Sequence, residues 1–259
     1  MDRGEASAIT ARIGGAVLML RHGGLEHMIR SWANHRLLAV LGRRLLTVLA
    51  CGVLFSAAAG ADRLLVHVDV ETTGLEAGHH ELIDAGVVIT TTDGVIVDQL
   101  FLRIMPDHPE RLDPGAAAVN GFSLSRWRSL EALDAAEGAS ALNTFLLQYS
   151  TDHQLIFTAF NVGFDQRFIM HFLKSHNLAF NTFFHYMVLD LPSMAWALGA
   201  KSLSGDGIAA HFGIPSEVKD PMLHTGETGA AFNVALYRAM LGQLSRHQTG
   251  LAVQGEDQD

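Results

Sequence analysis

A single cysteine, Cys51, stands in a chain of 259 residues, so no internal disulfide and no zinc cluster of cysteines can form. Internal repeats and low-complexity tracts are lacking too, and no repeat architecture is expected. Basic residues are scarce, 18 against 27 acids, for a net charge of −9. The deficit is uneven. Residues 1–61 hold seven arginines and three acids, a balance of +4 that leaves −13 for the rest. So acidic a body grips long nucleic acid poorly, which counts against a processive duplex binder. It is compatible with a pocket for a short single-stranded end, where bound metal ions supply positive charge.

Apolar runs of membrane-spanning length are missing as well. The longest charge-free stretch before residue 62, Leu45 to Ala61, is seventeen residues and short for a span. Arg43-Arg44 before it and Ala59-Gly60-Ala61 ahead of Asp62 give it the layout of a secretory signal with a cleavage site. The same pattern suits apolar helices packed on the domain or a loose extension. The expected organisation is an extension over 1–61, a domain over 62–248 and a polar tail over 249–259. A cytoplasmic protein is expected, with export or inner-membrane tethering through 43–61, and membrane contact through 37–61, as the alternative.

What the chain does have is an apolar run, Leu64-Leu65-Val66-His67-Val68, that ends in Asp69-Val70-Glu71-Thr72-Thr73-Gly74-Leu75. At the end of a strand, Asp69 and Glu71 point to one face, because side chains two apart do so. Such a pair repels unless a cation lies between the carboxylates, and hard divalent ions favour oxygen ligands. Two solvated acids at a strand end are the bland alternative.

Further strands are expected over Leu64–Asp69, Leu82–Thr90, Val95–Ile104, Leu155–Ala159 and Met187–Leu189, with Asp93-Gly94 as a hairpin turn between the second and third. Pro106, Pro109 and Pro114 mark a loop. A short helix over 116–121 closed by Gly121 follows, then a helix over Ala139–Tyr149. Phe164, Phe168, Ile169, Phe172 and Leu173 recur at helical spacing. Shorter helices are expected after Pro192 and over Ile208–Phe212, and a last one from near His224 to about Leu244. Three antiparallel strands followed by alternating helices and strands imply an α/β domain with a mixed central sheet.

The run Asp69-x-Glu71-Thr72-Thr73-Gly74 resembles the first motif of the DEDD exonuclease family, which includes polymerase proofreading subunits, ribonuclease T and oligoribonuclease. Over about residues 62–244 the resemblance implies a ribonuclease H-like fold, a mixed five-stranded sheet flanked by helices. Asn161-Val162-Gly163-Phe164-Asp165 matches the second motif, although Phe160 stands where relatives often carry His. His224-Thr225-Gly226-Glu227-Thr228-Gly229 resembles the histidine branch's third motif, His-x-Ala-x-x-Asp, with the histidine kept and the last acid replaced by Gly229.

The resemblance implies that Asp69, Glu71 and Asp165 hold two Mg2+ or Mn2+ ions and that His224 deprotonates the attacking water. Thr72, Thr73, Val119, Asn120, Gly121, Asn161 and Phe164 would then contact a single-stranded 3′ end. Glu227 and Asp220 are weak substitutes for the missing acid. The implied activity is a 3′–5′ exonuclease on single-stranded DNA or short RNA, weakened by Gly229 and demanding high metal or manganese. A lapsed enzyme that binds nucleic-acid ends without cleaving them is the alternative. A homodimer and a polymerase partner both stay open.

Overall fold

The chain forms two units, Met1–Gly60 and Ala61–Asp259. The computed structural model describes residues 12–13, 16–17 and 62–256, with side chains over 62–246. In the first unit Arg12–Ile13 pairs antiparallel with Ala16–Val17. The segment 37–61, expected as a signal, anchor or membrane contact, lies outside the described residues.

In the second unit five strands, β1 (Arg63–Thr72), β2 (Leu82–Thr91), β3 (Ile96–Arg103), β4 (Gln154–Ala159) and β5 (Leu189–Asp190), lie in the order β3-β2-β1-β4-β5. β1 to β3 form an antiparallel meander, and β4 and β5 join β1 in parallel. The β2–β3 turn falls at Asp93-Gly94, and of the two only Gly94 takes a positive φ, 83°.

β1 is central and covered on both faces, which is why it reads as a near-continuous apolar run. Its period of two divides it. Leu64, Val66, Val68 and Val70 join one core with Leu142 and Leu146 of α3 (Ala135–Ser150) and Phe168, Ile169 and Phe172 of α4 (Val162–Ser175). Leu65 joins a second core with Phe232, Leu236 and Met240 of α7 (Gly226–Glu256). His67, Asp69 and Glu71 share the parity of Leu65 and so the face toward α7. Each large apolar side chain buried in these cores contributes about 1.5–3 kcal/mol. Two such layers can therefore hold several mutually repelling carboxylates at the end of β1.

The remaining helices are α1 (Pro114–Asn120), α2 (Leu124–Ser129), α5 (Leu191–Ala197) and α6 (Gly205–Phe212). α2 is absent from the sequence-based expectation. Six residues are too few to show a period, and tertiary contact defines it: Ser123 accepts the Arg126 N–H, and Trp127 is buried with its indole donating to the Ile83 carbonyl at 2.9 Å. α3 begins four residues before the expected Ala139, because Asp134 and Glu137 form a reciprocal capping box. The fifth strand sits at Leu189–Asp190 rather than Met187–Leu189. Asp190 ends it by accepting the Ser193 N–H and starting α5.

α7 starts at Gly226, after His224, and its backbone continues to Glu256 through much of the expected polar tail. No proline interrupts that stretch, and polarity alone does not stop a helix. Among the described residues no helix is long and apolar enough to cross a membrane.

Candidate active site

In the β1–β2 ladder Asp69 stands opposite Gly86 and Glu71 opposite Asp84, and the register shifts just after Glu71. β4 passes into α4 through Asn161, which takes the left-handed conformation at φ 61° and turns the chain sharply into the helix. Asp165 falls in the first turn of α4, and its Oδ1 accepts the Val70 N–H at 3.1 Å. The backbone of β1 thus holds Asp165 beside the strand end that carries Asp69 and Glu71.

His224 reaches the same place from the loop before α7. Its Nδ1–H donates to the Val218 carbonyl at 2.7 Å, and its Nε2 lies 3.0 Å from Glu71 Oε1. Because a carbonyl only accepts, Nδ1 keeps its hydrogen and Nε2 is the nitrogen that titrates. The start of α7 is fastened by Thr225 and Thr228, whose hydroxyls each accept the other's N–H at 3.1 and 3.3 Å. The next free N–H, of Gly226, donates to buried Asp84 at 2.9 Å. One turn further on, Gly229 faces the first acid. A β-carbon there would lie 2.1 Å from Asp69 Oδ2.

A cavity of about 230 Å³ opens over these groups, lined by Asp69, Glu71, Asp165 and His224. Thr72, Asn120, Val119 and Phe164 also line it. Val119 is exposed, and Phe164 packs its ring 4.9 Å from that of Phe168. Asn120 is spent internally, donating to the Thr72 carbonyl and accepting the Phe122 N–H. Three of the residues expected to contact substrate are not brought to the cavity wall. Thr73 is fully buried and accepts the Glu81 N–H. Gly121 caps α1 in the left-handed region, and Asn161 is an exposed turn residue.

The acids weighed as substitutes at position 229 are corrected by the structure. Glu227 is exposed on α7, and Asp220 is exposed and accepts the Met222 N–H of its own turn. The cavity instead has a fourth carboxylate, Glu217, from the loop between α6 and His224, with Oε1 3.6 Å from His224 Nδ1. No periodicity or motif marks it. Phe160, where relatives often carry His, also lines the cavity and packs on Phe232.

Burial, and then the charge of Asp165, hold the Asp69 carboxyl well above the usual carboxylate range. Burial likewise pushes Asp165 up, against the opposing pull of its backbone hydrogen bonds. Burial also raises Glu217, with His224 opposing. The hydrogen bond to Glu71 raises His224 to about 9. Four converging carboxylates with one imidazolium are short of positive charge. Among the described residues no three ligand-type side chains are drawn together as a ready-made metal cluster. The donor set is nevertheless all hard oxygen, crowded and partly desolvated, and it suits a divalent cation such as Mg2+ or Mn2+.

No protein-family model matches the chain. An oligoribonuclease of Burkholderia lata is 28% identical over 135 residues, covering 50% of this chain and 63% of that protein. An E. coli exonuclease I in complex with a dT13 oligonucleotide superposes at a TM-score of 0.59 with 12% identity, covering 73% of this chain and 43% of the other. A zinc-bound complex of E. coli exonuclease I with single-stranded DNA gives 0.57 and 14%, covering 73% and 41%. The chain thus spans less than two thirds of the length of the relatives it matches. The fold is that of exonuclease I, a ribonuclease H-like α/β sheet, and over half of its length the chain is similar in sequence to an oligoribonuclease.

Proposed function

We propose that the protein is a metal-dependent 3′–5′ exonuclease that removes nucleoside 5′-monophosphates from the 3′ end of single-stranded DNA or short RNA. The observation that carries this reading is the meeting of Asp69, Glu71, Asp165 and His224 around one cavity. Asp69, Glu71 and Asp165 would hold the cations. Bound there, divalent ions activate water and neutralise the leaving oxygen. Once a cation takes up the Glu71 charge that keeps His224 protonated, His224 would accept the water's proton at Nε2, with its Nδ1–H held by the Val218 carbonyl. Val119 and Phe164 would offer apolar surface to the terminal nucleotide.

Gly229 favours a second reading, a protein that binds strand ends without cutting them, and under the first reading it predicts a weakened enzyme. An oligonucleotide labelled at either end tests both. The exonuclease reading expects labelled mononucleotide from the 3′ label at once and a descending ladder from the 5′ label. A retained 3′ label together with a stable complex favours the second.

A further inference from the structure

We infer that Glu217 supplies the fourth carboxylate of the metal site, standing in from a loop for the acid that Gly229 lacks. The inference rests on the exonuclease reading and deepens it. At Gly229 no side chain is available, and the room a β-carbon would need is taken by the Asp69 carboxylate itself, 2.1 Å away. An acid that replaces this ligand must therefore arrive from another element.

Glu217 is the acid the loop delivers to the same cavity as Asp69, Glu71 and Asp165. It enters beside the histidine. Its Oε1 lies 3.6 Å from His224 Nδ1, and the neighbouring Val218 carbonyl accepts that nitrogen's hydrogen at 2.7 Å. The His224 hydrogen is thus already engaged, so Glu217 makes no hydrogen bond to it and its carboxylate is left to another partner. Its side chain is 28% exposed, enough to turn toward a cation without opening the core. The charge count agrees: replacing an aspartate at 229 by a glutamate at 217 keeps four carboxylates in the site.

Manganese titration of the full chain by calorimetry tests this apart from catalysis, with wild type, Glu217→Gln, Glu217→Asp, Asp69→Asn and His224→Gln compared. Glu217→Gln should weaken manganese binding at least about tenfold with the melting profile of the metal-free protein kept, as expected for loss of a ligand-sphere group. Glu217→Asp, shorter by one carbon, should fall between. A Glu217→Gln loss that persists in full on the His224→Gln background separates a ligand from a group acting through the histidine; a loss that vanishes there overturns the assignment. If Asp69→Asn abolishes binding and Glu217→Gln leaves it unchanged, the Glu217 assignment is overturned and the metal site stands. If neither variant alters binding, the metal-dependent reading is overturned with it.

Discussion

Gly86 of β2 and Gly226 of α7 meet backbone against backbone. A β-carbon on Gly86 would lie 1.9 Å from the Gly226 carbonyl oxygen, and one on Gly226 would lie 2.6 Å from the Asp69 carbonyl oxygen. The helix that follows His224 thus begins in direct contact with the residue pair Asp69–Gly86 of the central ladder. Gly86→Ala should therefore push the start of α7 away from the sheet. Overpacking of this kind costs about 1–3 kcal/mol, and urea denaturation should show it. His224 is two residues from the displaced point, so turnover should fall further than stability alone explains.

Acids at 217 and 229 should be interchangeable in part. Gly229→Asp on the wild-type background is expected to raise activity, once Asp69 turns aside to make room. On a Glu217→Gln background it should restore most of the activity that substitution removes. Strict additivity of the two changes in initial rates at low magnesium would show that the positions do not share a ligand role.

His224→Gln should lower kcat by about 10²-fold or more, the usual contribution of a positioned general base. Substrate binding should stay near wild type, because the residue contacts the water and not the nucleotide. A change confined to KM would remove the assignment.

Acid lability is expected to centre on His67. It is fully buried in β1 with Nε2 3.1 Å from Thr90 Oγ1, and burial, with a smaller effect of Arg238, lowers its pKa to about 3. An unfolded histidine takes up its proton below about 6.5 while the folded one stays neutral, so stability is present above that pH and is lost as pH falls toward 3. At pH 4.5 this residue should have removed on the order of 2–3 kcal/mol relative to pH 7. Urea midpoints of wild type and His67→Gln, measured with chelator, should converge on one pH dependence if another group is responsible.

Much of this site could be read from residue order, and the reasons are local. Asp69 and Glu71 were legible because they close an apolar strand, and Asp165 because it opens a helix with a clear apolar stripe. Glu217 was not legible: it lies in an irregular loop where neither spacing nor pattern ties a residue to a distant partner. The short helix α2 was hidden for the same reason, yet it braces that loop through Arg126, whose guanidinium donates to the Gly121 carbonyl at 3.0 Å and to the Met222 carbonyl at 2.7 Å. Thr73 reads as a substrate contact because it belongs to the first motif, and Asn120 because Val119-Asn120-Gly121 resembles a segment of the family that packs on the terminal nucleotide. Pairing within the fold, seen only in three dimensions, consumes their polar groups instead.

The most direct test of the central claim is stepwise hydrolysis of a 5′-labelled, 3′-tailed oligonucleotide by the full chain, first with magnesium and then with manganese. The account predicts a ladder shortening from the 3′ end that chelator stops, that manganese strengthens and that Asp69→Ala abolishes. Shortening that survives Asp69→Ala, or a wild-type chain that binds the oligonucleotide and shortens it with neither metal, would contradict it.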